Sequence, residues 1–98
     1  SLADARKRAE SELAAIDIEI EAAESSVKAF ESIRSSASEL VSKTQTGFSS
    51  GFSTLLDVLE ATRSLREIEQ ELVEAELSLN LAITKKYEIA GTLIEVAK

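Results

Sequence analysis

The sequence predicts an all-α fold: an antiparallel two-helix coiled-coil hairpin that is part of a larger α-barrel or helical bundle. Three observations point there. The chain of 98 residues has no proline and only three glycines, at positions 47, 51 and 91, so nothing breaks a helix over residues 2–45 or 54–90. Apolar residues recur with alternating gaps of four and three along both stretches, the signature of a coiled-coil seam. Between the two stretches lies one short segment rich in glycine and serine, TGFSSGFST at 46–54.

The first helix is expected over about residues 2–46. Its seam runs through Ala9, Leu13, Ile16, Ile20, Ala23, Val27, Phe30, Arg34, Ala37 and Val41, with one polar break at Arg34. Gly47 suits the residue just past its end, because a left-handed conformation costs glycine nothing, and Lys43 suits the negative end of the helix dipole. A tip turn is expected over about 47–53.

The second helix is expected over about 54–96, with a seam of Val58, Ala61, Leu65, Ile68, Leu72, Ala75, Leu79, Ala82, Lys86, Ile89, Leu93 and Val96, broken at Lys86. Ser53 or Thr54 is the candidate N-cap, with Asp57 in the first turn where a carboxylate favours the positive helix end. At 1.5 Å per residue, each arm would be roughly 65 Å long. Alanines recur in both seams, so the two axes can approach closely.

Beside the second seam stands a further apolar column, Leu59, Val73, Leu77, Leu81 and Tyr87, and the first helix carries extra apolar residues at Ile18, Ile33 and Leu40. A helix with a single partner needs only a narrow apolar stripe. The widened stripe therefore fits either a helix with neighbours on both sides or the broad core face of a four-helix bundle formed by dimerisation.

Composition removes several functions. With no Cys and no His, the commonest metal ligands and the usual general base at neutral pH are missing, and the expectation is a protein without catalytic activity, metal or cofactor. The acidic runs Glu67, Glu69, Glu71, Glu74, Glu76 and Glu19, Glu21, Glu24 lack the histidines of a di-metal carboxylate bundle and read as solvated surface. A net charge of −7 with scattered cations argues against nucleic acid and against an anionic membrane surface. No stretch approaches the roughly 18 apolar residues needed to span a bilayer, and no alternating strand pattern is present, so direct membrane insertion by this segment is not expected. The chain opens on Ser1, as a processed or excised segment of a longer protein would.

The turn and the second helix are less generic. Gly51 precedes Asp57-Val58-Leu59-Glu60-Ala61, and further on stand Gln70-Glu71-Leu72 and Gly91-Thr92-Leu93. This order and spacing resembles the second repeat of the TolC-like outer-membrane efflux and secretion channels. The likeness covers residues 50–94; residues 1–49 match only as a compatible heptad helix.

The resemblance implies a periplasmic hairpin belonging to a bacterial outer-membrane protein. In that family three protomers form a channel, and a barrel of twelve helices carries hairpin tips that dock against the hairpin tip of a periplasmic adaptor protein. It implies adaptor contact by the tip residues Gly47, Phe48, Ser50, Gly51, Phe52, Ser53 and Leu55, and a pore entrance lined by the acidic Asp57 and Glu60. The family's Val-Gly-Thr or Val-Gly-Leu motif falls on Ser50, Gly51 and Phe52, where only the glycine is kept. A Tyr and an Arg that hold the closed tip in some members fall on Phe48 and Ser53, which cannot make the same hydrogen bond or ion pair. The alternative is a self-associating structural coiled-coil or four-helix-bundle module without a transport role. At the turn itself, the phenylalanines are expected either to anchor a partner or to fold back over the helix ends.

Overall fold

The computed structural model describes residues 1–97, excluding the side chains of Val96 and Ala97. The chain forms two helices and no strand among the described residues: α1, Leu2–Ser49, and α2, Leu55–Ala97, paired as an antiparallel hairpin. It divides into two compact units, each holding a piece of both helices. One comprises Ser26–Ala75 and includes the turn; the other comprises Ser1–Ser25 with Glu76–Lys98.

Both units are built on the predicted seam. In the turn unit the buried residues are Val27, Ala61 and Leu72, and in the other unit Ala9, Ile16 and Ala82. The remaining apolar seam positions with described side chains are half-buried. Val96 lies outside the described side chains. The small seam residues are among the best buried, as expected where alanine lets one helix backbone approach the other and larger neighbours close over it.

The polar breaks in the seams are bridged from the opposite helix. In the turn unit Arg34 Nε lies 3.6 Å from Glu69 Oε2. In the other unit Lys86 Nζ lies 2.7 Å from Asp17 Oδ1. Glu69 and Asp17 each come directly after a seam residue, Ile68 and Ile16, which places them at the seam's margin. A long basic side chain at a seam position can therefore reach its acid without burying either charge. Solvent screens such exposed pairs, so they add little to stability and matter more for how the helices align.

The hydrogen bond from Lys86 to Asp17, with the attraction between their charges, raises the lysine pKa above its ordinary value. A raised folded-state value means that this contribution is complete below the unfolded lysine value of about 10.4 and is lost as pH rises through the folded value. Lys86→Met is accordingly expected to flatten part of the alkaline fall in stability. Urea unfolding of both chains between about pH 9 and 12 measures this, and identical slopes would show that the pair contributes nothing.

The extra apolar residues, and Ile94 with them, remain largely exposed. In the turn unit Leu59, Val73, Ile33 and Leu40 are exposed, and in the other unit Leu77, Leu81, Tyr87, Ile94 and Ile18 are exposed. Leu59, Val73, Tyr87 and Ile94 share one heptad position. Another position holds Glu60, Glu67, Glu74, Glu88 and Glu95, with Leu81 among them, all exposed. Helix α2 thus has a seam, an apolar flank and an acidic flank.

The ends of the helices at the turn differ from expectation. Helix α1 does not stop near residue 46 but runs to Ser49, so Gly47 lies inside it and is not the residue past its end. That position belongs to Gly51, whose φ of 84° is positive. The reason lies in the helix-ending hydrogen bonds. Phe52 N–H donates to the Gly47 carbonyl at 2.7 Å and Gly51 N–H to the Phe48 carbonyl at 3.2 Å. This is the paired pattern of a Schellman ending, which requires its left-handed residue at position 51.

Candidate functional site

The turn is held from both sides. After the Schellman ending, Ser53 N–H also donates to the Gly47 carbonyl, at 3.0 Å, which folds the chain back over the last turn of α1. Ser53 then sits so close that a Cβ at position 47 would collide with Ser53 Oγ and lie 3.1 Å from Ser53 Cβ. Gly47 is needed for this close approach, whereas Gly51 is needed for its backbone conformation, since a Cβ there would meet open space. The two glycines serve different ends.

Helix α2 starts with a reciprocal cap. Asp57 N–H donates to Thr54 Oγ1 at 3.1 Å, and Thr54 N–H donates to Asp57 Oδ2 at 2.9 Å. Of the two candidate caps, Thr54 takes the role and Ser53 serves the turn. The arrangement is a capping box with aspartate in the place usually held by glutamate. Asp57 therefore has a structural duty whatever else its carboxylate meets. Glu60, on the next turn, is exposed and lines a shallow groove with Leu40, Thr44, Ser53, Asp57 and Ser64.

The aromatic side chains are arranged unequally. Phe48 continues the α1 seam beyond Val41 and Thr44 and is 49% exposed, while Phe52 is 92% exposed and does not fold back. In a Schellman ending the residue at the Phe52 position normally packs against the side chain at the Gly47 position. Here glycine offers no side chain, so the ring is left outside. Leu55 and Leu56 are exposed beside it.

The structure thus places Gly47 and Phe48 in the last turn of α1, Ser50, Gly51, Phe52 and Ser53 in the connection, and Leu55, Asp57 and Glu60 in the first turns of α2. Leu56 was missed in the sequence, although its pairing with Leu55 directly after a cap residue offered the signal. Also missed was a groove on α2 itself, lined by Leu59, Thr62, Arg63, Arg66, Glu67 and Gln70. The cations Arg63 and Arg66 stand one turn apart there, a spacing visible in the sequence.

The electrostatics of the turn are simple. No charged residue lies between Lys43 and Asp57, so the whole turn is neutral within an acidic chain. Among the described residues there is no cluster of three or more acidic side chains placed to hold a metal ion, and no helix long and apolar enough to cross a membrane. Comparison with protein-family models, characterised proteins and solved structures gave no significant match.

Proposed function

We propose that this chain is a periplasmic helical hairpin of a TolC-like outer-membrane export channel, with its turn as the docking tip for a periplasmic adaptor protein. The observation that carries the reading is the turn: Phe52 stands outside the fold beside the left-handed Gly51, in the part of the sequence that resembles the channel family. A residue with no intramolecular partner, placed next to a backbone free of side chain, suits contact with another chain. In this reading Glu60 is the freer of the two pore-entrance acids, because Asp57 also caps α2. The apolar flank of α2 supports a neighbouring hairpin in a trimeric barrel.

A second reading rests on that same flank. The exposed Leu59, Val73, Tyr87 and Ile94 would also suit a self-associating four-helix bundle without a transport role. The two readings separate in a binding titration of the chain against the periplasmic adaptor of the same source, run with sedimentation of the chain alone. Export function predicts adaptor binding that is lost on Phe52→Glu at unchanged helicity. A stable dimer with no adaptor affinity, matched by a full-length channel that also fails to bind, would favour the bundle.

A further inference from the structure

We infer that the turn is recognised by an uncharged apolar pocket on the adaptor, with Phe52 inserted as the anchor and no ion pair across the contact. This rests on the reading of the turn as the adaptor-docking tip and names the chemistry of that contact.

Three features of the turn carry it. The first is charge: the segment from Thr44 to Leu56 holds no ionisable side chain. Its nearest acid, Asp57, is engaged with the Thr54 N–H. A charged partner surface would be desolvated here with nothing opposite to pair with, which is unfavourable. A neutral surface meets no such penalty.

The second is that four of the turn's polar side chains already have partners. Thr44 Oγ1 donates to the Val41 carbonyl at 2.9 Å, Ser49 Oγ to the Gln45 carbonyl at 3.2 Å and Ser50 Oγ to the Thr46 carbonyl at 2.6 Å. Thr54 Oγ1 accepts the Asp57 N–H. Covering a hydroxyl that keeps its intramolecular bond costs far less than covering one whose only partner is water. Of the seven polar side chains from Thr44 to Thr54, these four keep an intramolecular bond when the turn is covered.

The third is the origin of the exposure of Phe52. A side chain at position 47 would give the ring something to pack on, and the close approach of Ser53 leaves little room for one, since a Cβ there would collide with Ser53 Oγ and lie 3.1 Å from Ser53 Cβ. The fold that closes the turn therefore also holds the ring in solvent, where it is available to a partner without first leaving an internal site. An anchor that need not be released gives up less on binding.

The test is a titration of the full adaptor protein with the chain and its Phe52 variants, at about 50 mM and about 500 mM salt, a range over which exposed charge pairs are strongly screened. Circular dichroism is expected to be unchanged in the variants, because the ring packs on nothing. The affinity of the unaltered chain is expected to change by less than about threefold with salt. Phe52→Ala is expected to weaken binding by roughly 30-fold, and Phe52→Leu by less, since a leucine still fills part of an apolar pocket.

A salt-induced loss of about tenfold or more, or Phe52→Ala binding as well as the unaltered chain, overturns the inference while the docking reading stands. Absence of adaptor binding by the unaltered chain overturns both. Phe52-dependent capture by vesicles of phosphatidylcholine, without adaptor affinity, assigns the ring to a lipid surface and likewise overturns it.

Discussion

Leu72→Ala is expected to lower the unfolding free energy by about 3 kcal/mol, whereas Leu77→Ala on the same helix is expected to change it by less than about 1 kcal/mol. The two residues are chemically identical and differ in what surrounds them. Leu72 is 8% exposed in the seam, while Leu77 is 57% exposed on the outer face of α2. Truncating a buried leucine loses its transfer free energy and leaves a cavity that the long helices can close only in part. Truncating an exposed one removes contacts with water. Urea unfolding followed by circular dichroism at low protein concentration gives both values. An effect at Leu77 as large as that at Leu72 would mean that this face is already covered by another copy of the chain under those conditions.

Gly51→Ala is expected to destabilise the hairpin by about 1–2 kcal/mol, the cost of holding a Cβ-bearing residue in the left-handed region. Because a Cβ at position 51 would meet nothing within 4 Å, the loss comes from the backbone, not from collision. Gly51→Asn should therefore recover much of it, since asparagine tolerates that region. Gly47 should behave in the opposite way. Its backbone is helical, so alanine there gains about 1 kcal/mol of helix propensity and loses by collision with Ser53. Combining Gly47→Ala with Ser53→Gly should relieve that collision, making the double variant more stable than the sum of the single changes. Chemical denaturation of the unaltered chain, the four single variants and the double variant checks the set. Equal losses for Gly51→Ala and Gly51→Asn would contradict a backbone origin.

These glycines also show which parts of the fold can be read in the sequence. The seams are legible because burial along a paired helix has a fixed period, and every apolar residue of the seams from Ala9 to Val41 and from Val58 to Leu93 is buried or half-buried. The turn is legible as a turn but not in its register. Gly47 and Gly51 are both acceptable helix ends by composition, and the choice depends on which carbonyls receive Gly51, Phe52 and Ser53 N–H. The same holds for Ser53 and Thr54 as caps, which the reciprocal bonds with Asp57 decide.

The partners of Arg34 and Lys86 were hidden for a related reason. Each reaches an acid on the opposite helix, and the alignment of two antiparallel arms depends on the length of the turn, which the first helix's true end at Ser49 shortens. The exposure of Phe52 was legible only as one of two alternatives. It became definite once the position that would have received the ring proved to be Gly47.

The most direct measurement places a photoreactive benzoylphenylalanine at position 52 or position 77 of the protein in intact cells and identifies what each captures. The proposed docking of the turn predicts that position 52 captures a periplasmic adaptor, while position 77, on the outer face of α2, captures another segment of the proposed channel. Capture of the same chain from both positions, with no adaptor at position 52, would contradict it and identify the hairpin as a self-associating module.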